Sequence, residues 1–465
     1  MQALPSSFRD PSGFVFAEGD RIFRQINACG LDDYRLLHSS GLYQALTGKG
    51  WLVPHTEVPG DAAGSPSAAR VIQPEKIEYI SYPYEWCFSQ LKDAALLTLD
   101  IQLLALKHGM TLKDASAYNV QFRGFSPVLI DTLSFTRYEE GKPWVAYRQF
   151  CQHFLAPLLL ICKRDLRLAQ LAKVHIDGIP LDLASRLLPR RTRFSPGILM
   201  HLHLHARAQQ NFAASDDTGI ARRKYRPLSK AGMQGIVTGL KSLIQDLDWN
   251  PTGTEWADYY SATNYTDHAF DTKRSIINTF LDKIGPKRVW DIGGNTGVFS
   301  RLASARGIST ASFDIDPAAI EINYRQAKKE KNQSLLPLVI DLTNPSNGIG
   351  WANQERQTLA ERGPVDCIFA LALIHHLAIS NNVPLAKISS YLASLGKHLI
   401  MEFVPKSDSQ VKRLLSSRED IFDTYTIEGF EAAFSQNFVI RDKVPVNDSK
   451  RTMYWLEKKP SSHPH

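Results

Sequence analysis

The sequence predicts an α/β protein in two main parts: a C-terminal, mostly parallel doubly wound sheet ending in an antiparallel hairpin, and an N-terminal α+β domain. Three observations carry this. From residue 288 onward, short apolar runs alternate with helical stretches, the pattern of a parallel sheet with crossover helices. The first of these runs, Arg288-Val-Trp-Asp-Ile292, breaks into Gly293-Gly-Asn-Thr-Gly297 before a helix resumes, a layout that lets a ligand approach the backbone at a helix N-terminus. The first half opens instead on a hairpin pattern, Gly13 to Ile26.

Along the N-terminal half, a helix is expected around Leu36 to Leu46 and a strand at Trp51 to Val58. Residues 59–67 are rich in Pro, Gly and Ser and read as a loop. Another strand is expected at Ile77 to Tyr82, then a strong helix from about Ser89 to Lys107 with apolar residues at helical spacing. The segment from His108 to Phe122 sets Asp114 and Asn119 in an Asp-x-x-x-x-Asn relation, and Asp131 ends the strand that begins at Pro127. Residues from about 165 to 250 read as helical and basic. Clusters at Leu188 to Arg193 and Ala221 to Arg226 suit a contact with a phosphate-bearing substrate or RNA, but a solvated linker face is the favoured reading. His201, His203 and His205 would share a face on a strand; their flanks read as helix, which scatters them, so no metal site is assigned.

The C-terminal strands end in chemistry. Gly293, Gly294 and Gly297 carry no side chain to block a ligand, and Asn295 is one of the few other residues that tolerates a left-handed backbone. The second strand, from Ser309, ends at Asp314, placed to accept hydrogen bonds from ribose hydroxyls. A third, from Leu336, ends at Asp341. The fourth, Val365 to Leu373, runs into Ile374-His-His-Leu377, and the fifth, Lys397 to Phe403, contains Glu402. Phe438 to Pro445 and Arg451 to Leu456 read as the closing hairpin.

With these motifs in hand, residues from about 255 to 458 resemble a class I S-adenosylmethionine-dependent methyltransferase with a Rossmann-like sheet. Asp291-x-Gly-x-Asn-x-Gly297, Asp314, Asp341-Leu342 and the strand before His375-His376 occur in that family's order. The resemblance implies S-adenosylmethionine as cofactor, held by Tyr265, Asp291, Gly293, Gly294, Asn295, Gly297, Asp314, Ile315, Asp341, Leu342 and Ala370. The loop would take the methionyl part, Asp314 the ribose, and Asp341 with Leu342 the adenine. Tyr260 and Tyr265, in the aromatic stretch before the first strand, are expected to line the cofactor and acceptor pocket. Methyl transfer rests mainly on positioning; for an oxygen nucleophile a base helps, and His375, His376 and Glu402 are the candidates.

The Asp114, Asn119 and Asp131 pattern resembles the catalytic loop and metal-binding aspartate of the protein-kinase-like fold. It lacks the glycine-rich phosphate loop and the Val-Ala-Ile-Lys strand, leaving Arg24 or Lys49 to serve, and Thr132-Leu133 rather than Phe-Gly follows Asp131, so the resemblance implies a degenerate or binding-only domain; an active phosphotransferase and an unrelated α/β unit in which Asp114 caps a turn are the other readings. Leu91 to Ala95, Thr111 to Asn119 and Glu402 to Asp408 resemble nodulation-protein-like methyltransferases over most of both halves.

The 465 residues, 43% hydrophobic, suffice for two or three cores, and the net charge of +7 is compatible with an acidic partner without requiring one. The five cysteines show neither metal spacing nor a disulfide framework. No leader peptide is read at the N-terminus, and the longest apolar run, Phe154 to Cys162, is too short for a membrane span. The expectation is a cytoplasmic enzyme with a kinase-like domain at 1–165, a basic connecting region at 166–250 and a methyltransferase domain at 251–460. It would methylate oxygen of a small-molecule or saccharide-type acceptor held partly by the N-terminal domain. A bifunctional kinase-methyltransferase, an RNA methyltransferase and a cofactor-bound regulatory scaffold are the alternatives.

Overall fold

A computed structural model describes residues 2–59, 68–207, 227–251, 267–416 and 418–460. The chain divides into two compact units, one of residues 1–250 with 350–355, the other of residues 251–349 and 356–465. The basic region 166–250 thus lies in the same unit as residues 1–165.

The first unit is α+β. Its sheet is antiparallel, in the order β1 (Gln2–Ala3), β2 (Gly13–Glu18), β3 (Arg21–Asn27), β5 (Ala68–Pro74), β4 (His55–Val58). The β2–β3 hairpin is the expected one. Its two-residue loop places Gly19 at φ +59°, the left-handed residue such a loop demands, and its register stacks Phe16 on Phe23 with ring centroids 5.3 Å apart. The helix expected at 36–46 is two, Leu31–Ser39 and Leu42–Gly48, because Gly41 at φ +76° interrupts it. The strand expected from Trp51 starts only at His55, after Pro54. The one expected at 77–82 does not form. There Ser81 and Tyr82 give their backbone N–H groups to the side chains of Gln121 and Glu85, so side chains satisfy what a ladder would have. The long helix Phe88–Lys107 is buried on most of its circumference. Two short hairpin-like pairs follow, β6 (Met110–Leu112) with β9 (Phe135–Arg137) and β7 (Val120–Arg123) with β8 (Ser126–Leu129). Helices and helical turns then make up most of the described residues from 147 to 245.

The second unit holds the expected sheet, in the order β12 (Leu335–Val339), β11 (Ser309–Asp314), β10 (Arg288–Ile292), β13 (Val365–Ala370), β14 (Gly396–Phe403), β16 (Thr452–Lys458), β15 (Phe438–Pro445). Strands β10 to β14 are parallel, and β15 and β16 form the antiparallel hairpin against β14. The apolar runs are needed because both faces are covered: Val289 to Ile292 are all buried. The helix Asp267–Ile284 lays Ile277, Phe280 and Leu281 against Val289, Phe369, Ile400 and Met453. Strand order reverses between β10 and β13, so a crevice opens beyond their C-terminal ends, where open α/β sheets bind ligands.

Candidate active site

The loop after β10 is fixed from below. Gly293 and Gly294 both donate backbone N–H groups to the carbonyl of Phe313, at 2.8 and 2.9 Å. Gly293 and Gly297 have φ +78° and Asn295 φ +48°, so the left-handed conformation anticipated for Asn295 is present. A Cβ on Gly294 would stand 2.4 Å from the Ser312 hydroxyl, and one on Gly297 would strike the Asn323 amide at 2.3 Å; glycine is sterically required at both. Arg301 then ties the loop to its neighbours, donating to the carbonyls of Thr296 and Gly297 at 2.9 Å and to Asn323 Oδ1 at 3.0 Å.

Three acids stand at strand ends around this loop. Asp291 is buried and accepts from Ser300 Oγ at 2.6 Å. Asp314 accepts the backbone N–H of Asn295 at 2.8 Å on one oxygen and that of Asp316 at 2.9 Å on the other. Burial raises both carboxyls to about 6 against these hydrogen bonds. Asp341 accepts from the backbone and hydroxyl of Thr343 through Oδ1, leaving Oδ2 with no hydrogen-bond partner among the described residues.

A cavity of about 370 Å³ brings these residues together, a size that suits a small-molecule ligand. Of the anticipated cofactor set, Asp291, Gly293, Gly294, Asn295, Asp314, Ile315, Asp341 and Leu342 line it. Gly297 lies behind it against Asn323, and Ala370 is fully buried in β13, with Leu371 to Leu373 forming the wall instead. Tyr260 and Tyr265 fall outside the described residues.

The three anticipated bases separate. His376 lines the cavity, and burial, reinforced by Arg451, lowers it to about 4, so it is neutral at pH 7. His375 is fully buried and absent from the cavity wall; neither ring nitrogen has a hydrogen-bond partner among the described residues, and burial drives its pKa well down. Glu402 is also fully buried and absent from the wall. Its Oε2 takes Lys273 Nζ at 2.6 Å, and its Oε1 lies 3.4 Å from Arg451, which holds Asp408 at 2.8 Å.

Lys273 does line the cavity, as the one lysine or arginine among the described lining residues, with Nζ 4.2 Å from the ring centre of Phe299. Burial lowers its pKa, opposed by Glu402. The sequence reading missed it, although a signal was there: a lysine on the apolar stripe of Ala269, Ile277 and Phe280, at four-, four- and three-residue steps along one helix face.

In the first unit, Asp131 is already engaged. Oδ1 holds Arg24 Nη1 at 2.7 Å and the N–H of Leu133, and Oδ2 accepts from Ser134 Oγ at 2.6 Å. Asp114 accepts the N–H of Ser116, and burial raises its pKa. A partly buried guanidinium thus sits on the Asp131 carboxylate, and among the described residues no three acidic, histidine or cysteine side chains are arranged to hold a metal. Asp131 lies within electrostatic reach of Asp114 and Asn119 within its hydrogen-bond reach, so the three anticipated residues stand together, with Asn119 also donating to Ser134 Oγ at 3.2 Å. His201 and His203 are structural, bonded to Tyr147 in one case and to Ser185 and Thr192 in the other.

Residues 265–437 match the family model of a methyltransferase domain. The chain is 37% identical over 461 residues to nodulation protein NoeA of Rhizobium meliloti (strain 1021), covering 98% of this chain and 96% of that one. Among solved structures it is similar to WbdD, at 16% identity and a TM-score of 0.30 over 48% of this chain, and spans about half (50%) of that chain's length. It is also similar to the magnesium protoporphyrin IX methyltransferase ChlM from Synechocystis PCC 6803, at 16% identity and a TM-score of 0.31 over 44% of this chain and 93% of that one. The chain is a methyltransferase and belongs to the family of the nodulation protein NoeA.

Proposed function

We propose that the cavity of the second unit binds S-adenosylmethionine and that the enzyme methylates an oxygen of a small-molecule or saccharide-type acceptor. The observation that supports this best is the convergence of the Gly293–Asn295 loop, Asp314 and Asp341 on one cavity at the switch point of the sheet. When bound, the cofactor supplies an electrophilic methyl group on a sulfonium. Asp314 accepts hydrogen bonds from the ribose hydroxyls, and Asp341 Oδ2 accepts from the adenine amino group beside Leu342. Gly293 and Gly294 let the methionyl part reach the backbone. Lys273, the cation of the wall, faces the methionyl carboxylate, while Asp291 offsets the ligand's positive charge.

Among the three anticipated bases, His376 is the one on the wall. Held neutral, it can take the proton of an acceptor hydroxyl as that oxygen attacks. Glu402 acts one step back, fixing Lys273. The engagement of Asp131 by Arg24 weighs against the bifunctional alternative.

Calorimetric titration with S-adenosylhomocysteine tests the reading. Wild type should bind, Asp314→Ala should lose affinity by at least about tenfold through the ribose contacts, and absence of binding to wild type would refute it.

A further inference from the structure

The chain's positive charge is not spread evenly. Residues 163–207 carry nine Lys and Arg against three Asp, +6 of the chain's +7. Within them, residues 190–207 hold four arginines and no acid at all, and none of the four is ion-paired among the described residues. Three of them, Arg190, Arg191 and Arg193, are exposed on one short 3-10 turn, Arg190–Phe194, that ends in Phe194. Phe194 is 88% exposed, the highest value of any large apolar side chain described.

The helical segment that follows continues the feature. Met200, Leu204 and Arg207 are exposed at four- and three-residue steps, one outward stripe, while His201, Leu202, His203 and Ala206 face inward. Met200 is 58% and Leu204 48% exposed. Turn and helix are fastened to each other. Thr192, the buried residue of the turn, bonds through its hydroxyl to His203 Nε2 at 2.9 Å, and His203 Nδ1 bonds to Ser185 at 2.8 Å. Arg193 and Arg207 both lie within electrostatic reach of that histidine, which places the two ends of the patch together.

A merely solvated basic face does not need this arrangement: it would leave the arginines out and turn the phenylalanine, methionine and leucine in. Arginine beside exposed aromatic and aliphatic side chains on a fastened, span-less segment is the composition of a surface that rests in the boundary between lipid headgroups and acyl chains. No described helix is long and apolar enough to cross a membrane. We propose that this face of the first unit docks the enzyme peripherally on an anionic lipid surface, with Phe194 inserted and the arginines on the headgroups. Nucleic acid would satisfy the charge but gives Met200 and Leu204, which neither stack nor hydrogen-bond, nothing to do.

The test is co-sedimentation of the full chain with vesicles of equal phosphatidylglycerol and phosphatidylcholine, with pure phosphatidylcholine vesicles, and with a generic single-stranded RNA. The expected result is binding to the anionic vesicles alone, weakening as salt rises. Reversing Arg190, Arg191 and Arg193 to Glu should lower it by at least about tenfold, and F194E by several-fold. Both variants should keep wild-type affinity for S-adenosylhomocysteine and a wild-type thermal transition, since every altered side chain is exposed. No binding to anionic vesicles, equal binding to neutral ones, insensitivity to F194E, or RNA binding lost in the same variants without vesicle binding would each overturn the proposal.

Discussion

Replacing Glu402 by Gln removes a charge from the most enclosed ion pair in the second unit and separates two roles for that carboxylate. Lys273 and Glu402 are 2% and 0% exposed at the side chain and 2.6 Å apart. Arg451 keeps Asp408 at 2.8 Å without Glu402, so the cost falls on Lys273, which must stay charged beside an amide or give up its proton. Breaking a buried pair from one side costs about 3–5 kcal/mol. Asp291 remains within electrostatic reach of Lys273, which puts the cost near the lower end. For a unit of this size each kcal/mol moves the midpoint by about 2–4 °C, so the second unit should melt about 6–12 °C lower by calorimetry. Adding Lys273→Met should recover much of the loss, because the stranded charge goes with it. S-adenosylhomocysteine affinity should fall in Lys273→Met more than affinity for methylthioadenosine, which lacks the carboxylate. A melt unchanged in Glu402→Gln together with abolished turnover would refute this reasoning and make Glu402 the base.

Three further outcomes are expected. His376→Ala should lower turnover by about 10²–10⁴ while S-adenosylhomocysteine binds within a few-fold of wild type. Because its folded pKa is depressed to about 4, the base stays competent as pH falls through 6 and is lost only near 4; a wild-type rate that drops between pH 7 and 6 with retained cofactor binding would contradict that. Asp314 carries a raised pKa of about 6 in the ligand-free protein, so it accepts hydrogen bonds as a carboxylate above that pH. S-adenosylhomocysteine affinity should weaken as pH falls through 6, and Asp314→Asn should bind more weakly with that step flattened; an unchanged step would assign it to another group. Magnesium-ATP titrated into the protein should give no binding heat, since Arg24 already occupies Asp131; heat that disappears in Asp131→Ala would refute the assignment.

The sheet, the glycine loop and the acids at strand ends were legible because each is a local rule. A parallel strand covered on both faces needs an unbroken apolar run, as Cys367 to Ala370 show. A chain that turns at φ +48° needs Asn or Gly, as Asn295 shows. What failed to read were the features decided by distant partners. Ile77 to Tyr82 has strand composition but is held by Gln121 and Glu85, forty and three residues away. Neighbouring histidines in sequence, His375 and His376, divide between a sealed interior and a cavity wall.

Glu402 and Lys273 sharpen the same point into a rule for reading such sites. The acid at the end of β14 looked reactive because it was ionisable and near the right edge of the sheet. The lysine looked ordinary because helices carry many. In the fold, the acid is consumed by two cations and the lysine stands on the wall. An ionisable group on an otherwise apolar helix stripe must be matched by an opposite charge, since the interior does not tolerate it alone. The informative sequence question is therefore which distant acid matches it. Here the answer moves Glu402 off the cavity wall and puts Lys273 on it.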